Sequence, residues 1–364
     1  MTRHSRTVLA TVSTAALLVG AIGLGAAPAQ ALPTAPTTTT GPSCGAVISS
    51  DTVLRDDLHC HGTALTVAAA PGTTVRLDLN GHLVSGDGTG TGIAAQAAGP
   101  VVSTLGTVVL SNGTVRGFAD ATGGPDWSFV HLTLDRMTLR GNGDWVTYSR
   151  MVHTLRVLGT QVVDSGAGGI APDTTLEVQD STFVRSDIRN GPQTFTSVYR
   201  TTFVGAGLSQ GASSRLTAVG NTFSNCQVGI LTQELYLSIP ARIEGNRFDR
   251  CVTGLWLGYN VRSLAGSATV RGNTFTRISG TAFLFTFGSI DFGGVWLHIT
   301  GNTFSGNGGD GMYGGGTPAV VVTQNTALSN GGHGIVVIGV TDGGHNRAAR
   351  NHTPPQCIGV VCSQ

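Results

Sequence analysis

Two residues in the C-terminal quarter of the chain have types and spacing suited to proton transfer, Asp310 and His333. Each stands immediately before a glycine, Gly311 or Gly334, and each lies six residues past the same point of a recurring phrase. A carboxylate beside an imidazole orients the ring and raises its proton affinity, as a general acid/base requires. A second set is aromatic. Trp256, Phe283 and Tyr313 fall in successive copies of the phrase, about two residues past the glycine, where side chains are expected to point outward. Three aromatic rings in a row make a platform on which sugar rings stack through their C–H faces. An exposed apolar row of that size marks a contact surface. The competing reading is that a loop, such as the insertion around Thr286 to Val295, or a second chain covers it. The candidate catalytic residues are therefore Asp310 and His333, and the candidate substrate-binding residues are Trp256, Phe283 and Tyr313.

What must position these residues is a repeat. VGNTFSNC (219–226), EGNRFDRC (244–251), RGNTFTRI (271–278), TGNTFSGN (300–307) and TQNTALSN (323–330) are copies of one phrase. Weaker copies lie upstream. Taking the Phe as a marker gives Val84, Val115, Leu139, Val162, Phe183, Phe203, Phe223, Phe248, Phe275, Phe304, Ala327 and Ala348, separated by 20 to 31 residues. Internal repetition overrides the two-domain expectation that length alone suggests. Short alternating stretches such as Leu297-His298-Ile299 mean strands, and a 3.6-residue period is absent. Successive copies then stack as parallel strands about 4.8 Å apart. The expected fold is all-β, a right-handed parallel β-helix of about 12 coils over residues 44–364. The Phe positions form an inward row. Asn221, Asn246, Asn273, Asn302, Asn325 and Asn346 form a second row at a turn, where side-chain amides can bond along the stack.

This organisation resembles the right-handed parallel β-helix proteins of the pectin-lyase-like superfamily, over about residues 44–362. Leu77-Asp78-Leu79-Asn80-Gly81-His82 and the Cys357–Cys362 segment are similar to that group. The resemblance implies a substrate groove on the face that carries the Gly-led strands, with Asp144 and Asp187 near the corresponding position in earlier coils. Gly332-His333-Gly334 resembles the G-H-G motif of polygalacturonases. The rest of that family's pattern fails: N-T-D does not occur, the single Asp-Asp (Asp56-Asp57) lies at the other end, and a chain without lysine has no R-I-K. Lyases of the superfamily need a base with acidic ligands for calcium, and no tight carboxylate cluster accompanies Arg140, Arg185 or Arg189. No cofactor is expected, and calcium has no clear motif.

Stacking also sorts the six cysteines. Cys226 and Cys251 occupy one repeat position in adjacent coils, within disulfide reach, although two buried thiols are the alternative. Cys44 with Cys60 and Cys357 with Cys362 then pair locally at the two ends.

The N-terminus reads as a signal peptide over 1–31: Arg3 and Arg6, an apolar run from Val8 to Leu24, and Ala29-Gln30-Ala31 as the cleavage site. Residues 32–43 read as a Thr/Pro-rich linker. The expectation is a secreted protein with no membrane span after cleavage. A formal net charge of +1 excludes nucleic acid as a default partner. The expected partner is a polysaccharide or cell-surface glycan. Three functions fit the residues: a polysaccharide hydrolase or lyase using Asp310 and His333, a non-catalytic glycan-binding module using the aromatic row, or an assembly protein whose row joins chains into oligomers.

Overall fold

The computed structural model describes residues 41–99, 105–124, 130–146, 152–170, 174–211, 214–232, 241–258, 267–286, 296–316 and 318–364. The expected signal peptide and nearly all of the linker lie outside them. Among the described residues the regular structure is all strand. It forms four parallel sheets of four, 13, 14 and nine strands. One coil contributes a strand to each of three faces in turn, as in Arg215–Val219, Thr222–Ser224 and Val228–Thr232. The faces are called here the long sheet (13 strands), the Phe sheet (14) and the site sheet (nine). The four-stranded sheet occupies the site-sheet side in the first coils, and bridges between Asp120, Asp144 and Gly166 carry that side across to the nine strands. The Phe sheet contains every one of the 12 marker positions, with one further rung at each end.

Three-residue strands explain the coil. In the unit Thr-Phe-Ser the middle side chain points in and its neighbours point out, because side chains alternate along a strand. Phe183, Phe203, Phe223, Phe248, Phe275 and Phe304 pair directly across successive coils. Their rings stack with centroids 4.6 to 5.2 Å apart, and all are fully buried. The chain must bend sharply on both sides of so short a strand. It does so with a left-handed residue three before the marker and another two after it. Asp180, Arg200, Gly220, Gly245, Gly272 and Gly301 make the first corner, and Asp164, Arg185, Gly205, Asn225, Arg250 and Arg277 make the second. Positive φ favours glycine because a Cβ crowds the backbone there, so the run of glycines before Phe223 to Phe304 takes the corner without the strain that Asp180 and Arg200 carry at the same place. Two of the corner arginines reach along the row to an Asp at the same corner of the adjacent coil. Arg200 forms a fork on Asp180 at 2.7 and 2.9 Å, and Arg185 meets Asp164 at 2.5 Å.

The Asn row closes the polar accounting at the first corner. Asn246 donates from Nδ2 to the Ala218 carbonyl (2.9 Å) and to Asn273 Oδ1 (3.0 Å), while its backbone N–H donates to the same Oδ1 (2.9 Å). The unit repeats from Asn221 to Asn325. Upstream, hydroxyls take the acceptor part: the Met137 N–H donates to Thr160 and the Thr160 N–H to Ser181. A second Asn row, Asn307, Asn330 and Asn351, runs along the second corner and ends on Gln356. In earlier coils the same position holds Cys226 and Cys251. They are joined as a disulfide, as are Cys44–Cys60 and Cys357–Cys362.

Replacing Asn273 with Ala strands the Asn246 donors and the Ile243 carbonyl in the interior. Each unsatisfied group costs about 1–3 kcal/mol, so the urea midpoint should fall by the equivalent of roughly 3–5 kcal/mol. Thr274→Ala, one residue on and facing out, should cost about 0.5 kcal/mol. Equal shifts for the two variants would show that the row does not hold the coils.

Candidate functional site

The strands Met312–Gly315 and Ile335–Ile338 pair in register, Met312 against Ile335 and Tyr313 against Val336. The turns leading into them bring Asp310 and His333 together, as expected. Asp310 Oδ1 accepts the His333 backbone N–H at 2.6 Å and lies 3.2 Å from His333 Nδ1. Both side chains are partly exposed, 21% and 25%. Among the described residues Nε2 has no protein partner. The glycines around His333 follow from packing. A Cβ on Gly332 would sit 2.2 Å from Asp310 Oδ1, and one on Gly334 would meet the Asn351 amide at 2.7 Å. The G-H-G triplet therefore has a structural cause in this chain, independent of any shared mechanism.

The aromatic row needs a correction. Strand register aligns Leu231, Trp256, Leu284, Tyr313 and Val336 on the outer side of the site sheet. Phe283 lies one residue earlier, pairs with Leu255 and Met312, and is fully buried. The reason is turn length. Gly229 and Gly254 stand six residues after their markers, whereas Gly311 and Gly334 stand seven after theirs. Ala282, fully buried and seven residues after Phe275, fills the glycine position in the intervening coil. The outer row there is therefore Leu284. Trp256 and Tyr313 are separated by an aliphatic rung, which gives an apolar ridge in place of three contiguous rings. Tyr313 is 43% exposed. Trp256 is half-buried, and its indole Nε1 is buried without a partner. Of the insertion proposed as a cover, residues 287–295 lie outside the described residues.

Asp187 and Asp144 lie farther up the same side. Asp187 precedes the inward Ile188 by one residue, so it aligns with Gly207 and the later glycines and not with Asp310. Burial pushes the Asp144 carboxyl above the usual range, the neighbouring Asp120 carboxylate adds to this, and Arg189 partly opposes it. Between Asp187 and Gln227 the surface drops into a trough of about 310 Å³ that Asp187, Arg189, Gly207, Ser209, Gln227 and Leu231 line. Sequence reading had no signal for it, because it is made by what the middle coil lacks.

The chain is a right-handed parallel β-helix repeat protein. A family model described as periplasmic copper-binding protein (NosD) matches residues 198–352. The described residues of that stretch do not fit a copper site. The two cysteines of that stretch are bonded to each other, and among the described residues no group of three or more His, Cys, Asp or Glu is placed to hold a metal ion. No curated protein matches the sequence. Among solved structures, a double mutant of the periplasmic alginate epimerase AlgG is similar at 10% identity, covering 85% of this chain and 77% of that one, with a TM-score of 0.36. The catalytic unit of a GH87 α-1,3-glucanase from Streptomyces thermodiastaticus is similar at 15% identity, covering 83% and 63%, with a TM-score of 0.31. The pectate lyase Pel9A is similar at 15% identity, covering 79% and 72%, with a TM-score of 0.23. No helix among the described residues is long and apolar enough to cross a membrane.

The register makes opposite demands on two adjacent residues. Phe283→Ala should cost about 3–5 kcal/mol, the usual range for emptying a buried Phe site. Leu284→Ala should cost about 1 kcal/mol or less. Thermal or urea denaturation of the two variants checks this, and the reverse order would restore Phe283 to the outer row.

Proposed function

We propose that this chain works outside the cytoplasm on a polysaccharide laid along the site sheet, with His333 as general acid/base and Asp310 orienting it. The observation that carries the reading is the pair itself. When His333 donates its Nδ1 proton to Asp310, Nε2 is left as the basic nitrogen, on a partly exposed ring one coil from Tyr313. A positioned imidazole of this kind contributes about 10²–10⁴-fold to a proton-transfer step. Trp256, Leu284 and Tyr313 supply the apolar ridge against which sugar rings pack. Three disulfides support an oxidising compartment. The epimerase, glucanase and lyase named above have polysaccharide names, and the reading is in keeping with them without resting on them.

A second reading, a glycan-binding module without catalysis, is favoured by one detail. Asp310 Oδ1 takes two donors from the adjacent coil, which is also how a purely structural staple between coils would look.

A turnover screen on extracellular and cell-wall polysaccharides separates the two. Under the catalytic reading, His333→Ala lowers turnover by roughly 10²-fold or more and Asp310→Ala lowers it as well, while both variants still bind. If both variants turn over substrate like the wild type, the acid/base assignment is wrong. If no turnover exists but binding does, and Trp256→Ala abolishes it, the module reading holds.

A further inference from the structure

The trough between Asp187 and Gln227 has a definite origin. Three coils meet there, and the middle one presents only small residues outward, Gly205, Gly207 and Ser209, between longer side chains of the coils on either side. Coils rise by about 4.8 Å, so the walls stand about 10 Å apart, and the floor is one coil wide. Gly207 cannot be replaced without closing or distorting it, since a Cβ there would sit 2.2 Å from the Val228 carbonyl oxygen. The first wall is fixed. The buried Trp145 donates its Nε1–H to the Asp187 carbonyl at 3.0 Å, and Asp187 Oδ1 accepts the Gly207 N–H at 2.9 Å. Arg189 lies 3.5 Å from the other carboxylate oxygen, with its own side chain 67% exposed. Ser209 stands on the floor. Gln227 and Leu231 form the second wall, and Leu231 is also the first member of the ridge that continues into Trp256.

We infer that this trough is a subsite for a single uncharged hexose unit of a glycan chain, held by Asp187, Arg189, Ser209 and Gln227 with its apolar edge on Leu231. The inference rests on the glycan-binding reading of the site sheet and gives that reading a substrate class. A few convergent polar groups beside an apolar wall, in a cleft of a few hundred Å³, are what a small polar ligand requires. The groups are complementary to hydroxyls in particular: a carboxylate accepts, a guanidinium donates in a planar fork, and an amide does both. Charge selects against an acidic sugar. Arg189 is the one cation among the residues that line the trough, and it faces Asp187 directly, with Asp144 near enough to feel its charge and Asp120 beside Asp144. A uronate entering the trough would meet the Asp187 carboxylate and a guanidinium already engaged by it, with the Asp144 and Asp120 carboxylates on the same side in earlier coils. Continuity with the ridge then lays further sugar units over Trp256 and toward Tyr313.

The test is calorimetric titration of the full chain with neutral gluco- and galacto-oligosaccharides and, separately, with oligogalacturonate. Ser209→Tyr fills the trough from an outward position, and Arg189→Ala removes the fork. Both should weaken binding of the neutral oligosaccharide at least tenfold while leaving the denaturation midpoint in place. If both variants bind like the wild type while Trp256→Ala loses binding, the glycan reading stands and the trough is not a subsite. If oligogalacturonate binds and the neutral sugars do not, the assigned class is wrong. If the wild type binds neither, the glycan reading falls and the subsite with it.

Discussion

Everything in this protein depends on the parallel hydrogen-bonded step from one coil to the next. Strand pairing continues through the corners: the Thr222 N–H reaches the Thr201 carbonyl at 3.0 Å, and the Gly220 N–H reaches the Glu244 carbonyl at 3.0 Å. Each inward position is therefore covered above and below by its own counterpart. A residue is favoured there when it packs well on a copy of itself or on another apolar side chain in register. Phe does so by stacking, Asn by amide-to-amide bonding, and Cys226 with Cys251 by a covalent bond. A coil length wandering from 20 to 31 residues is compatible with this constraint, because the strands keep their register across coils of different length.

That constraint decides how much could be read from the chain. The Phe and Asn rows were legible because both sit inside the conserved-length core of the phrase, between the two corners. The same arithmetic paired Cys226 with Cys251 and Asp310 with His333. Phe283 was misplaced because it lies beyond the second corner, where the turn is one residue longer in some coils than in others, and an apolar residue on either side of the strand looks alike in sequence. The second Asn row is hard to read because only its last three members, Asn307, Asn330 and Asn351, are consecutive, while Asn142 stands alone upstream and the other coils hold Asp, Phe, Ser, Ala, Cys or Ile at that position. Arg200 and Arg185 gave no hint of their left-handed backbone, since arginine is not a residue that signals one.

The same constraint changes what counts as evidence for a site. In most folds, two complementary side chains brought together from distant sequence positions are informative. Here adjacency is automatic, and like residues meet by default. The informative places are those where neighbouring coils differ: a carboxylate over an imidazole at Asp310 and His333, or a glycine between Asp187 and Gln227. Gly332 sharpens the first of these, because it is the absence of a side chain there that lets the Asp310 carboxylate lie against the next coil.

The Asn row also has a direction. Every amide from Asn221 to Asn325 donates toward the C-terminal neighbour and accepts from the N-terminal one, so the bond dipoles add head to tail along the coil axis. A chain of aligned amides polarises each member further and leaves a donor at its last unit. Asn346 is that unit, and its Nδ2 ends on a carboxylate, Asp342 Oδ1, at 3.2 Å. The stack is therefore a polar object, with a beginning fed by the Thr201 backbone N–H and an anion at its finish. Cut at any coil in between, it would end on an amide whose acceptor belongs to the coil not yet laid down.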